Sequence, residues 1–135
     1  MKISTKGRYA LHVLLDLAVH SDDGYISLKD IAMRNDLSIK YLEMIVAILN
    51  KAGYVKSVRG KLGGYMLKKN PEDIFMADVL RCTEGSLAPV ACLDTPGECN
   101  KEAHCKTLPL WKKLDSIIED YLQSISLKDL MEQNI

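Results

Sequence analysis

Between Ser38 and Lys68 the chain carries a pattern that few folds accommodate. A serine-capped amphipathic helix closes on a glycine and runs at once into two strand-like segments around a glycine-rich turn. Leu42, Ile45, Val46 and Leu49 fall at i, i+3, i+4 and i+7, the spacing of one buried helix face. Gly53 follows Asn50-Lys51-Ala52 and is placed to take the left-handed conformation that ends a helix. Tyr54 to Arg59 and Tyr65 to Lys68 then read as paired strands, with Gly60-Lys61-Leu62-Gly63-Gly64 as the tip.

Two more helices precede this unit. Ser4 and Thr5 offer N-caps for a helix reaching about His20. Tyr9, Ala10, Val13, Leu14, Leu17 and Ala18 form one apolar stripe, and Leu11, Leu15 and Val19 form a second, so a core face and a subunit face are expected together. Asp22-Asp23-Gly24 is a turn, and Ser27, with Asp30 three residues on, caps a short helix ending near Asn35-Asp36. Helix, helix, tight turn, helix and hairpin make a winged helix-turn-helix. The expected class is mainly α with a small β-hairpin, to which a long C-terminal dimerisation helix is appended.

Beyond Asn70-Pro71 a helix is expected over Ile74 to Cys82, with Phe75, Val79 and Leu80 inward and Cys82 as a small core residue beside Val79. Residues 85–107 show no periodicity, and so long a loop in a small domain points to function. A long helix is expected over Leu108 to Ser124, with apolar Leu110, Leu114, Ile117, Ile118, Tyr121, Leu122 and Ile125. That stripe is wider than one small domain needs, so a second chain should pair with it about a two-fold axis. Ser126 and Asp129 cap a last short helix. Residues 1–70 read as the DNA-binding region and 71–135 as the sensing and dimerisation region of one compact domain.

Charge divides along the same line. The net charge of the 135 residues is zero, but residues 1–69 hold 12 Lys and Arg against 6 Asp and Glu, and residues 70–135 hold the reverse. A basic front half suits a polyanion. Outward on the Ser38–Asn50 helix stand Ser38, Lys40, Tyr41, Glu43, Met44 and Ala47. Ser38 and Tyr41 can bond phosphate or base, Lys40 can reach a phosphate or a guanine edge, and Glu43 can accept from a cytosine amino group. Arg59, Gly60 and Lys61 at the hairpin tip suit the strongly negative minor groove. Lys6 and Arg8 can add phosphate contacts. The stretch Ala10 to Val19 is interrupted by His12 and Asp16 and has no cleavage site after it, so neither a signal peptide nor a membrane span is expected, and the expected location is cytoplasmic.

Cys92-x6-Cys99-x5-Cys105 lies within the aperiodic loop. In a cytosolic chain such clustering points to metal or redox chemistry before disulfides. The spacing lacks the paired C-x2-C knuckles of structural zinc sites and the plant-type ferredoxin pattern. Three thiolates can hold an iron–sulfur cluster or zinc with a fourth ligand, or act as reversible thiols. Asp94, Glu98, Glu102 and His104 lie nearby.

The opening Met-Lys-Ile-Ser-Thr-Lys-Gly-Arg-Tyr-Ala, Tyr41-Leu42-Glu43, Val58-Arg59-Gly60 with Gly63-Gly64-Tyr65, Trp111 after the cysteine loop, and Ile125-Ser126-Leu127-Lys128-Asp129-Leu130 together resemble the bacterial winged-helix regulators of the IscR, CymR and NsrR type. The resemblance spans essentially the whole chain. The CymR type lacks the three cysteines, so the IscR type is nearest. The resemblance implies a homodimer built on the long C-terminal helix, and a 2Fe-2S cluster on Cys92, Cys99 and Cys105. It also implies repression of iron–sulfur cluster assembly genes through double-stranded operator DNA. By the same carry-over Ser38, Tyr41 and Glu43 read the major groove and Arg59 enters the minor groove. This chain has Leu108 where the IscR type has a histidine, Arg8 where the NsrR type uses an acidic residue, and a first cysteine gap one residue longer. The fourth ligand is thus unassigned, with His104 the candidate. Rival readings are a regulator of the same fold sensing nitric oxide or cysteine status, and a small iron–sulfur redox protein. The basic hairpin and capped helix pair argue against the redox protein. No Ser/His/Asp, phosphate-cradling or paired-carboxylate arrangement suggests an enzyme.

Overall fold

Ser4, Ser27, Ser38 and Ser126 each start a helix, and in every case the side-chain oxygen accepts from the backbone N–H three residues on. Such a cap satisfies one of the orphan donors of a first turn and is worth about 1 kcal/mol. The computed structural model describes residues 2–135; Met1, first residue of the opening motif, lies outside them. The helices are α1 (Thr5–Val19), α2 (Leu28–Asn35), α3 (Ile39–Lys51), α4 (Met76–Glu84), α5 (Leu108–Ser124) and α6 (Leu127–Met131). Strands β1 (Val55–Val58) and β2 (Gly64–Leu67) pair antiparallel, with Val55 opposite Leu67 and Val58 opposite Gly64.

The core sits between α1, α2, α3 and β1, and is closed by α4 and α6. Leu42, Ile45, Val46 and Leu49 of α3 are all buried, as are Ala10, Val13, Leu14 and Leu17 of α1. Each of the leucine, isoleucine and valine side chains contributes about 1.5–3 kcal/mol when fully removed from water. Ile74, Met76, Val79, Ile125 and Leu127 complete the same core. The α4 and α6 entries are laced together: Met76 N–H donates to the Ile125 carbonyl at 2.9 Å, and Leu127 N–H to the Ile74 carbonyl at 2.8 Å. The cysteine loop and α5 therefore form one excursion from a pinned base.

Two features differ from the sequence-based expectation. Ile26 joins the hairpin through paired 2.8 Å hydrogen bonds with Tyr65, bracing the wing from a third side. Cys82 is exposed on α4, its thiol 3.2 Å from the Asp78 carbonyl, and is not a core residue. The inward positions of α4 are Met76, Ala77, Val79, Leu80 and Thr83, which leave residue 82 off the buried face.

None of α5's residues is buried. Leu122 packs against the core and Ile118 is half-buried, while Leu110, Leu114, Ile117 and Tyr121 stand exposed. Those four lie at i, i+4, i+7 and i+11, one continuous stripe on a helix. The opposite side of α5 is tied to α4 by an ion pair between Glu119 and Arg81. Among the described residues no helix is long and apolar enough to cross a membrane.

Candidate nucleic-acid interface and cysteine loop

Because α3 buries the face through Leu42 and Leu49, its other face is turned to solvent. Ser38, Lys40, Glu43, Met44 and Ala47 are exposed there, and Tyr41 is half-buried. The Ser38 oxygen accepts from Tyr41 N–H at 3.0 Å, which leaves its hydrogen to be donated outward. Tyr41 is held edge-on against Tyr9 of α1, centroids 6.0 Å apart and planes at 85°. Such a pair is worth about 0.5–1.5 kcal/mol beyond its burial. Tyr9 thus holds the Tyr41 side chain at the edge of this face, a contact its apolar helical register hid in the sequence.

The wing ends in a hydrogen-bonded turn. Gly63 N–H donates to the Gly60 carbonyl at 3.0 Å, closing a four-residue turn with Lys61 and Leu62 at its corners. Gly60 has φ 114°, a left-handed value that favours glycine, and a Cβ on Gly63 would sit 2.2 Å from the Val58 carbonyl oxygen. Arg59 and Lys61 are exposed on this tip. A shallow groove lined by Leu28, Asn50, Arg59 and Tyr65 separates the wing from the helices.

Lys6 is half-buried and Arg8 exposed on the first turns of α1, Arg8 lying 3.3 Å from the Thr5 hydroxyl. The amino end of α1 holds an internal anion. Glu84, the last residue of α4, accepts from Ser4 N–H at 2.5 Å and from the Ser4 hydroxyl at 2.8 Å. A carboxylate there satisfies an orphan donor and favours the helix dipole. Gly7 leaves room for it, since a Cβ there would lie 2.6 Å from Glu84 Oε1 and would push the carboxylate aside. Glu84 was not among the sequence candidates; a partner 80 residues away leaves no local signal.

The loop from Gly85 to Thr107 carries short 3-10 turns at Ala91–Leu93 and Glu102–His104. Cys92 and Cys105 are half-buried and Cys99 is exposed, and all are free thiols. The Thr107 hydroxyl, 3.3 Å from Cys105 Sγ, and the Thr107 backbone hold the Cys105 thiol below its ordinary range. Asp94 is engaged by the Ser86 hydroxyl and Glu102 by Gly97 N–H, each at 2.5 Å, while His104 is exposed. Among the described residues no three His, Cys, Asp or Glu side chains converge on a point that would hold a metal ion. Three thiols are donors that would suit a thiophilic metal or cluster, and bringing them together would require the loop to rearrange.

Residues 3–133 match the family model described as "Rrf2: Iron-dependent Transcriptional regulator". The HTH-type transcriptional regulator CymR of Bacillus subtilis (strain 168) is 42% identical over 130 residues, which cover 96% of this chain and 89% of the relative. The HTH-type transcriptional regulator IscR of Aliivibrio salmonicida (strain LFI1238) is 40% identical over 134 residues, covering 99% and 79%. The solved structure of IscR from T. potens superposes with a TM-score of 0.79 at 41% identity, covering 100% of this chain and 89% of that one.

Proposed function

This chain belongs to the Rrf2 family of transcriptional regulators, and we propose that it is a homodimeric, cytoplasmic repressor of iron–sulfur cluster assembly genes, its hold on operator DNA set by a 2Fe-2S cluster on Cys92, Cys99 and Cys105. The observation that carries this reading is the meeting of the two regions at Glu84. The last residue of α4, immediately before the cysteine loop, is also the one that holds the amino end of α1.

In this reading the exposed face of α3 enters the major groove. Lys40 and the Ser38 hydroxyl meet phosphate or base edges, Tyr41 is positioned by Tyr9, and Glu43 selects a cytosine amino donor. An acid among phosphates lowers affinity where that donor is missing, so Glu43 acts on selectivity. Arg59, with Gly60 and Lys61, enters the minor groove, and Lys6 and Arg8 meet the flanking backbone. The α5 stripe of Leu110, Leu114, Ile117 and Tyr121 pairs with that of a second copy, so that two half-sites are read at once. Residues 1–70 serve DNA and residues 71–135 serve sensing and pairing, without catalysis.

Cys92, Cys99 and Cys105 are the residues that would hold the cluster, with His104 the candidate fourth ligand. A bound cluster would supply iron centres for these thiolates to ligate, together with a charge that depends on its redox state. The chain's own residues do the rest: ordering the loop repositions Glu84, and Glu84 sets the seat of α1 and of Lys6 and Arg8. An effector shifts DNA affinity only through such a difference between two conformations.

Absorption spectra of anaerobically purified protein test the reading. More than one visible charge-transfer band, with operator affinity changing when the cluster is lost, supports it. Colourless protein with one zinc per chain overturns the cluster. A colourless, metal-free protein whose DNA binding responds to cysteine supply favours the second reading, which rests on the similarity to B. subtilis CymR, described as a global cysteine regulator.

A further inference from the structure

Leu62 is 93% exposed, the highest value of any large apolar side chain among the described residues. Single apolar residues on a surface usually need no explanation. This one stands at a turn corner, a place that ordinarily takes Gly, Asn, Asp or Ser. It also stands on a tip whose other projecting side chains, Arg59 and Lys61, are both cationic.

The tip is held out stiffly. The Gly63-to-Gly60 hydrogen bond closes the turn, the backbone at Gly63 is packed too closely on Val58 to admit a Cβ, and the Ile26–Tyr65 pair braces the base. With the backbone held by these contacts, docking costs the rotamer freedom of the side chain and little further backbone ordering. The minor groove is about 6 Å wide, and proteins that enter it use Leu as an apolar wedge beside Arg and Lys. The sugars that wall the groove offer aliphatic surface, which suits an isobutyl group and not an ammonium.

We propose that Leu62 enters the minor groove beside Arg59 and buries its isobutyl group there, giving the wing an affinity component that salt does not screen. The proposal rests on the wing reading above and adds to it a residue outside the cationic set. Arg59 supplies the electrostatic component, which weakens as counterions are added, and Leu62 supplies the apolar one.

The probe is a duplex enriched by the wild-type protein from a randomised pool, with affinity measured over a range of salt concentrations. Leu62→Ala is expected to weaken binding by roughly ten- to a hundredfold, the loss of one buried leucine, with the salt slope unchanged. Leu62→Met, close in volume, keeps binding near wild type. Arg59→Ala weakens binding and lowers the slope by about one. Circular dichroism of Leu62→Ala stays that of wild type, since the side chain contacts solvent. If Leu62→Ala binds as wild type while Arg59→Ala is weakened, Leu62 lies outside the groove and this proposal alone falls. If Leu62→Ala lowers the salt slope, its effect is electrostatic and the proposal also falls. If Arg59→Ala binds as wild type, the wing itself is not in the groove and both readings fall together.

Discussion

The Arg34 guanidinium forks onto the Asp16 carboxylate, Nε to Oδ2 at 2.8 Å and Nη2 to Oδ1 at 2.7 Å, and so joins α2 to α1. Asn35 adds a third donor to Oδ2 at 3.1 Å. The Asp16 side chain is only 6% exposed, so its charge depends on these partners, and the pairing holds Arg34 above its ordinary range. Arg34→Ala is expected to destabilise the fold by about 1–3 kcal/mol, because a nearly buried carboxylate loses its main donor. Arg34→Lys recovers only part of that, since an ammonium cannot fork. Urea midpoints at constant m-value measure both, and an Arg34→Ala midpoint equal to wild type refutes the assignment.

Asp129 gives the fold an acid limb. It accepts from Ser126 N–H at 2.9 Å and from the Ser126 hydroxyl at 2.8 Å, and these bonds hold its carboxyl below the usual carboxylate range. A depressed folded value means that the stabilisation is present above the unfolded pKa and is lost as pH falls through the folded one. Urea midpoints taken from neutral to strongly acidic pH should fall more steeply in wild type than in Asp129→Asn over that window. Identical acid limbs would remove the capping box from the account.

The proposed pairing through α5 separates two kinds of substitution. Ile117 is 52% exposed, whereas Leu122 packs on the chain's own core. Ile117→Glu should give a folded monomer that has lost tight operator binding, and Leu122→Glu should lower thermal stability as well. Light scattering together with circular dichroism reads both. A wild-type monomer at micromolar concentration contradicts the pairing.

Elements whose signal is local were legible in the sequence. The four serine caps, the buried face of α3, the hairpin and the limits of α5 follow from residues within one or two turns of each other. What stayed hidden depends on distant partners. Asp16 reads only as a charge interrupting an apolar run until Arg34 comes beside it. Ser4 shows no sign of Glu84, and Ile26 no sign of Tyr65. The apolar positions of α5 were evident, but their division between core and open stripe required the placement of α4 and α6. Cys82 was misjudged because residue spacing on a short helix does not say where its buried face is centred. The three loop cysteines were legible as a set, while their separation in space was not.

Those cysteines yield a further expectation. Replacing any one of Cys92, Cys99 or Cys105 by Ala should abolish visible absorption of anaerobic protein, and exposed Cys82→Ala should leave it intact. His104→Ala tests the fourth position: retained bands would assign that ligand to a carboxylate or to the second copy. Equal loss in Cys82→Ala would show that the bands do not report a site in the loop.

The tie between Ser4 and Glu84 also has a consequence during synthesis. Translation delivers α1 first, but the carboxylate that seats its amino end arrives 80 residues later, and Leu127 of α6, which closes the same core, arrives later still. A nascent chain can assemble its capped helix pair and hairpin early, yet it cannot finish the packing of α1 until α6 has been made. A chain truncated within the cysteine loop would keep Glu84 and lose α6, leaving part of the apolar face of α1 open to chaperones and proteases.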